Sequence, residues 1–152
     1  MTAILMVCSA NQCRSPMAEV IFRKMLNEEG LEDWKVASAG VWAQSDISAT
    51  PTAVVAMNER GLNLSTHLSK PVTVDLLKVY DLVLVMERRH QDALRDQFPE
   101  YADRVFLLGE MAGLSKEVDD PVGEPLERYM ETAKDIHYYL MEALPTMRAK
   151  FD

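Results

Sequence analysis

Ile4-Leu5-Met6-Val7-Cys8-Ser9-Ala10-Asn11-Gln12-Cys13-Arg14-Ser15-Pro16 joins an apolar run, a short polar loop and the beginning of a helix. The continuous apolar run is typical of a strand that is buried on both faces. Ser15 is a suitable helix cap, and Pro16 fits a first helical turn, where no backbone N–H is needed. Such a loop binds anions through its backbone N–H groups and the helix dipole. With a thiol at Cys8 and a guanidinium at Arg14, the stretch predicts a nucleophile directed at a phosphate.

The rest of the chain alternates apolar runs with helical patterns. This alternation predicts a parallel sheet with helices on both faces, in one domain spanning residues 1–152. Ligands bind such sheets beyond the carboxyl ends of the strands, which is where the Cys8 loop lies. The predicted strands are 3–7, 35–39, 82–86 and 104–108, and the predicted helices are 15–30, 50–61, 73–79 (helix or turn), 87–98 and one from 124 that Pro145 ends or kinks; 109–123 is predicted to be a long connection.

Composition restricts the class of protein. The 152 residues are 48% hydrophobic, as in ordinary globular proteins. The net charge of −8 and the lack of a basic patch argue against nucleic-acid binding, and an anionic substrate meets an unfavourable overall field. No apolar run approaches the roughly 20 residues of a membrane span, and the first residues do not resemble a signal peptide. We expect a cytoplasmic, monomeric protein that does not associate with membranes.

The two cysteines, Cys8 and Cys13, both lie in the opening loop. Their spacing, with only three histidines elsewhere, does not resemble a metal site, so no metal or cofactor is expected. A thiol is nucleophilic only as the thiolate, whose unperturbed pKa is about 8.5. The helix N-terminus and Arg14 both stabilise the thiolate of Cys8, and Ser15 Oγ is able to donate a hydrogen bond to it. The guanidinium of Arg14 is suited to hold two phosphoryl oxygens, and Asn11 tolerates left-handed backbone.

The motif Cys8-Ser9-Ala10-Asn11-Gln12-Cys13-Arg14-Ser15-Pro16 resembles the C-x-x-N-x-C-R-S-P signature of the low-molecular-weight protein tyrosine phosphatases. The acid loop and the last helix are more similar to the bacterial branch of this family, which includes protein-arginine phosphatases. The resemblance covers essentially the whole chain. It implies a flavodoxin-like three-layer sandwich with a four-stranded parallel sheet. It also implies metal-independent hydrolysis through a phosphocysteine on Cys8, with residues 9–14 as the phosphate-binding loop.

The resemblance assigns further roles. The Asp of the single Asp-Pro pair, Asp120, is expected to be the general acid and then the general base, with Asp119 as second choice. His67 is expected to hold Asn11 by a hydrogen bond. Cys13 is expected to trap an oxidised Cys8 as a disulfide, or simply to pack beneath the loop. Trp42 is expected at the pocket entrance, although a Trp in a loop is often only a packing cap.

Three positions depart from the family pattern. Ala10 replaces the usual Gly, which is harmless unless the position requires positive φ. Gln12 stands where tyrosine phosphatases carry an aliphatic residue and arginine phosphatases a threonine. Val122 replaces an aromatic pocket wall, which weakens stacking on a phosphotyrosine ring. These departures bear on the identity of the substrate. The expected substrates are ranked as phosphotyrosine in proteins first, phosphoarginine second and a small phosphate ester third.

Two other functions fit parts of the pattern. An arsenate reductase on the same fold needs further cysteines to pass a disulfide along, and residues 81–96 contain none. A non-catalytic phosphate-binding or redox module needs neither the nucleophile Cys8 nor the acid Asp120. For the hydrolase, we expect activity to peak below neutral pH, since the acid must be protonated while the thiolate persists.

Overall fold

The computed structural model describes residues 1–151 and contains a four-stranded parallel sheet in the order β2-β1-β3-β4. The strands are β1 (Ala3–Cys8), β2 (Lys35–Gly40), β3 (Leu82–Val85) and β4 (Val105–Leu107). The helices are α1 (Arg14–Glu28), α2 (Pro51–Glu59), α3 (Val74–Val79), α4 (Arg88–Gln97), α5 (Leu108–Met111) and α6 (Leu126–Phe151), with a short 3₁₀ helix at Pro99–Arg104. The predicted α/β architecture is confirmed.

The central strand β1 is buried along its whole length, as its apolar run predicts. Its side chains alternate between two cores because successive residues of a strand point to opposite faces. Ile4, Met6 and Cys8 pack on the face covered by α1, α2 and α6, whereas Leu5 and Val7 pack on the other face with Leu77 and Leu94. A strand with apolar residues on both faces belongs in the interior of the sheet, and this places the Cys8 loop at the centre of its carboxyl edge.

Two details differ from the predicted elements. The connection after β4 begins with the short helix α5, where Glu110 accepts a hydrogen bond from Leu107 N at 2.9 Å and buried Met111 packs into the core. Of the two effects predicted for Pro145, an end to the helix is wrong, since α6 continues to Phe151. Pro145 lies on the exposed face, while its buried neighbours Leu144 and Met147 hold the final turns against the core. Within residues 1–151, no helix is long and apolar enough to cross a membrane.

Candidate active site

The loop from Cys8 to Cys13 is shaped by Asn11, whose φ of +58° lies in the left-handed region. Asparagine tolerates this backbone because its short polar side chain bonds locally. Its Nδ2 donates to Ser15 Oγ at 2.9 Å and to Ser38 Oγ at 3.0 Å, and its Oδ1 accepts from Lys70 N at 3.0 Å. Ala10 has no positive φ, so the replacement of glycine there causes no backbone strain.

The thiol of Cys8 is buried and lies next to the first turn of α1. Its Sγ is 3.0 Å from Ser15 Oγ, and Ser15 N donates to it at 3.4 Å. Ser15 Oγ accepts from Asn11 and has one hydrogen, which either Cys8 Sγ or the Ala39 carbonyl at 3.2 Å can accept. When Cys8 is a thiolate, the negative sulfur is the better acceptor. Ser15 therefore offers the Cys8 sulfur two hydrogen-bond donors, its hydroxyl and its main-chain N–H.

His67 contacts Asn11 as the sequence predicts, but through the main chain. Its Nε2 lies 2.7 Å from the Asn11 carbonyl oxygen, so Nε2 carries the proton and donates it. The Asn11 side chain is instead held by Ser38 and by the amide of Lys70. His67 thus supports the left-handed residue of the loop from outside.

Arg14 is almost completely buried, at 1% exposure. Its Nη1 donates to Glu87 Oε2 at 2.6 Å and to the Val118 carbonyl at 2.8 Å. Its Nη2 lies 3.5 Å from Asp120 Oδ2. A buried guanidinium requires such partners because an unpaired charge in the interior is very costly. Glu87 and Val118 fix Arg14, and the remaining edge of the guanidinium faces the pocket.

Glu87 was not among the residues predicted from the sequence. It follows β3 and contacts both Arg14 and Arg89. Burial acts to raise the pKa of Glu87, but hydrogen bonds from Arg89 and Arg14 outweigh burial and hold that pKa below its usual value. An acidic residue after an apolar strand is common in sequences, so no local signal distinguishes this one.

Asp120 and Asp119 face different parts of the structure. Asp120 is partly exposed, and its Oδ1 accepts from Val122 N at 3.1 Å, which fixes the turn that holds its carboxylate near Arg14. Burial, and then the charges of Asp135 and Asp119, raise the pKa of Tyr139, which places Asp119 beside α6. Of the two candidate acids, only Asp120 lines the pocket that contains Cys8.

The pocket above the loop has a volume of about 150 Å³. It brings together the predicted nucleophile, arginine and acid with two of the three predicted pocket residues, Gln12 and Val122. Its full lining is Cys8, Ser9, Ala10, Gln12, Cys13, Arg14, Thr50, Asp120 and Val122. A larger cavity of about 320 Å³ lies elsewhere, between Arg23, Trp34 and Tyr80, and is not lined by either cysteine.

Trp42 does not line this pocket. It is 54% exposed, and the guanidinium of Arg89 stacks on it at 5.2 Å from the ring centre. Arg89 in turn donates to Ser9 Oγ at 2.9 Å. The Trp42 side chain therefore reaches the lining residue Ser9 only through Arg89. This position is at the rim, near the expected entrance, and Trp42 is not part of the pocket lining.

His90 forms a second support that the sequence did not reveal. Its Nδ1 accepts from Glu87 N at 3.1 Å, so in the neutral ring Nε2 carries the proton and donates to Ser9 Oγ at 2.8 Å. Burial, and then the positive charge of Arg14, lowers the pKa of His90 to about 4. The ring stays neutral at physiological pH and holds the second residue of the loop.

Cys13 is buried behind the loop at the start of α1. Burial, and then the negative charge of Cys8, strongly raises the pKa of its thiol. Both cysteines are free. The two thiols thus differ in environment: the Cys8 sulfur faces the hydroxyl and the main-chain N–H of Ser15, whereas burial keeps Cys13 protonated.

Comparisons with known proteins agree with this geometry. The family model of the low molecular weight phosphotyrosine protein phosphatases matches residues 3–150. The protein-arginine-phosphatase of Bacillus subtilis is 40% identical over 140 residues, which cover 91% of this chain and 92% of that protein. The low molecular weight protein-tyrosine-phosphatase Wzb of Escherichia coli is 36% identical over 126 residues, covering 83% and 82%. A solved structure of the YwlE arginine phosphatase, a mutant with a phosphorylated active-site serine, has a TM-score of 0.91 at 37% identity and covers 99% of this chain and 97% of its own. This chain belongs to the low molecular weight phosphotyrosine protein phosphatase family.

Proposed function

We propose that the protein hydrolyses phosphotyrosine in proteins through a phosphocysteine formed on Cys8. The observation that carries the proposal is the convergence of Cys8, Arg14 and Asp120 on one small pocket. These three residues supply a nucleophile, a binding site for the phosphoryl oxygens and a proton donor. A phosphate-binding module needs only the second of them.

In the first step, the Cys8 thiolate attacks phosphorus and the bond from phosphorus to the leaving oxygen breaks. Arg14 and the loop amides hold the non-bridging oxygens and stabilise the charge that develops on them. Asp120 donates its proton to the leaving phenolate oxygen. The phosphoryl group is then bonded to Cys8, and the dephosphorylated side chain leaves.

In the second step, water attacks the phosphocysteine and Asp120, now ionised, accepts a proton from it. Release of the Cys8 thiolate is aided by Ser15, whose hydroxyl hydrogen turns to the sulfur. A Cys→Ser form of a relative that carries phosphate on its active-site serine supports a covalent route in this family. One carboxylate serves both steps because its protonation state alternates.

Hydrolysis of p-nitrophenyl phosphate tests the mechanism. The wild type should be active in the presence of EDTA, and Cys8→Ser should be inactive. Asp120→Ala should slow hydrolysis most for leaving groups that are poor without protonation, whereas Asp119→Ala, the matched control, should not. Activity that survives in Cys8→Ser would overturn the proposal.

The pH dependence of kcat is a second test. The kcat profile should peak below pH 7, and an unchanged rate up to about pH 9 on a poor leaving group would exclude Asp120 as the acid.

A second candidate substrate is phosphoarginine in proteins. Two observations favour it: the pocket wall at Val122 is not aromatic, and the 40% identical relative is named a protein-arginine-phosphatase. A comparison of kcat/KM on phosphotyrosine and phosphoarginine peptides decides between the two. Gln12→Thr should shift the ratio towards phosphoarginine and Gln12→Ile towards phosphotyrosine, since threonine is the residue expected here in arginine phosphatases and an aliphatic residue the one expected in tyrosine phosphatases.

We infer that Cys13 protects the nucleophile from irreversible oxidation. Peroxide converts the Cys8 thiolate to a sulfenic acid, and the negative charge that opposes ionisation of Cys13 disappears. The sulfur of Cys13 then displaces the hydroxyl of the sulfenic acid as water, with loss of its own proton, and a disulfide forms. Thiol treatment after peroxide should restore the wild type and leave Cys13→Ser inactive. Equal recovery of the two proteins would leave Cys13 with a packing role only.

The same chemistry favours a reducing compartment, since the nucleophile must remain a free thiol. We therefore propose that the protein acts in the cytoplasm. We also propose that it acts on phosphorylated proteins and that it is a monomer. Gel filtration with light scattering at concentrations between about 1 and 100 μM tests the last point, because a weak dimer would appear only at the upper end.

A further inference from the structure

Thr50 has a hydroxyl group that the fold does not use. Its Oγ1 is buried and has no hydrogen-bond partner, and no other buried side-chain oxygen or nitrogen within residues 1–151 shares this property. Buried polar groups are almost always paired, because an unpaired one loses its bonds to water without replacement. An unpaired hydroxyl therefore requires an explanation.

The usual task of a threonine at this position is helix capping. Thr50 immediately precedes α2 and occupies the N-cap position, where a Thr side chain normally accepts a bond from a helix amide. No such bond is present, and the hydroxyl is left free. Burial raises the pKa of Tyr129 in α6, and an interaction with the nearby Thr50 side chain opposes that rise, but the two hydroxyl groups do not form a hydrogen bond of normal geometry.

Thr50 also forms part of the catalytic pocket. It lines the pocket together with Gln12 and Val122, and its main-chain N–H donates to the Gln12 carbonyl at 2.9 Å. This bond ties the start of α2 to the phosphate-binding loop and holds Thr50 at a fixed position on the wall. Rotation of its side chain would present the hydroxyl to a group in the pocket.

We propose that Thr50 is a specificity-determining residue, whose hydroxyl accepts a hydrogen bond from the N–H groups of a phosphoguanidino substrate, that is, a phosphoarginine side chain. This inference rests on the proposed function and extends it to the choice of substrate. A guanidino group carries N–H donors beside the phosphoryl group, and one of them forms a hydrogen bond with the free hydroxyl of Thr50. A phosphotyrosine ring has no donor there and leaves the hydroxyl unpaired. Thr50 thus shifts the ratio of the two activities towards phosphoarginine.

Thr50→Val tests the proposal, since valine keeps the shape of threonine and removes the hydroxyl. Its kcat/KM on a phosphoarginine peptide should fall about tenfold, as expected for one hydrogen bond to a cationic group. Its kcat/KM on the phosphotyrosine peptide of otherwise identical sequence should fall by a much smaller factor, so that the ratio of the two activities shifts towards phosphotyrosine. Thr50→Ser keeps the hydroxyl and should retain the wild-type ratio. Thr52→Val, two residues along in α2 and outside the pocket, is the matched control and should behave as the wild type.

Thermal unfolding separates specificity from a structural role. Because the hydroxyl neither caps α2 nor pairs in the core, Thr50→Val should not lower Tm. A lower Tm with an unchanged substrate ratio would show that the hydroxyl serves the fold and would overturn the inference. Equal losses on both peptides would also overturn it, as would a wild type that hydrolyses phosphotyrosine but no phosphoarginine. If the wild type hydrolyses neither peptide and no aryl phosphate, the proposed function fails and this inference fails with it.

Discussion

The buried side chain of His90 contacts the phosphate-binding loop and makes the free energy of unfolding depend on pH. Its ring is fully buried and neutral, donating to Ser9 and accepting from the Glu87 amide. Four charged groups act on it, namely Arg14, Glu87, Arg89 and Asp120. Its pKa in the folded protein is about 4, below the 6.5 of the free side chain, so the unfolded chain binds the proton more readily between these values.

From this difference we predict that the free energy of unfolding falls as pH is lowered from about 6.5 to about 4, by on the order of 2–3 kcal/mol from His90 alone. Above about pH 6.5 the ring is neutral in both states and contributes no pH dependence. Urea unfolding of the wild type and His90→Gln over this range is the measurement, and the variant should show the smaller slope. His137→Gln is the comparison. The pKa of His137 is also lowered, first by burial and then by Arg60, but this side chain is only partly buried, so His137→Gln should reduce the slope less than His90→Gln does. Equal slopes in the wild type and His90→Gln would contradict the assignment.

At the scale of the elements, the end of β2 limits what the loop can tolerate. Gly40 lies beside Cys8 in the sheet register, and a Cβ there would come within 2.6 Å of Ser9 O and 2.9 Å of Asn11 N. The glycine of the Ser38-Ala39-Gly40 segment is thus required by the close approach of two backbones, and not by its own dihedral angles.

Gly40→Ala is therefore expected to displace the phosphate-binding loop. We predict a loss of kcat/KM of at least tenfold on p-nitrophenyl phosphate together with a lower Tm. Gly109→Ala is the control, because its Cβ would clash with Lys116 O, away from the loop. This variant should also have a lower Tm, but for the same decrease in Tm it should lose less kcat/KM than Gly40→Ala. Wild-type kcat/KM in Gly40→Ala would show that the loop accommodates the added methyl group without loss of activity.

The long helix α6 carries a different prediction. Pro145 lies inside the helix and is exposed, so its ring removes one backbone hydrogen bond without adding buried contacts. Pro145→Ala should raise the free energy of unfolding by roughly 1–3 kcal/mol, as measured by urea unfolding. Glu142→Ala, one turn earlier and also exposed, is the control and should change stability by less than about 0.5 kcal/mol. A destabilised Pro145→Ala would mean that the proline has a packing role in solution.

At the scale of the whole molecule, the net charge of −8 acts on every anionic substrate. The field of the protein opposes the approach of a phosphorylated acidic peptide, and salt screens that field over a Debye length of about 10 Å at 0.1 M. We predict that kcat/KM on an acidic phosphopeptide rises as NaCl is increased from about 10 to about 150 mM. A peptide of zero net charge should change much less. A fall for the acidic peptide would mean that Arg14, Arg88 and Arg89 dominate the field at the entrance.

The sequence determined the fold class and the centre of the site because both depend on local patterns. Apolar runs specify buried strands, and Cys8 to Arg14 is one continuous segment in which spacing fixes geometry. Pro16 lies in the first turn of α1 as predicted, but the predicted cap Ser15 is wrong, since Cys13 occupies the N-cap and Ser15 lies inside the helix. Asn11 in the left-handed region also follows from its residue type. The family resemblance then supplied Asp120, which no local pattern identifies.

Only the tertiary structure decided which residues surround that segment. Glu87 reaches Arg14 across 73 positions of sequence, and His90 reaches Ser9 across 81. The unpaired hydroxyl of Thr50, the rim position of Trp42 and the continuation of α6 past Pro145 likewise depend on what packs against each residue. The physical reason is that periodicity and capping act within a few residues, whereas burial and hydrogen-bond pairing depend on neighbours brought together by the whole sheet.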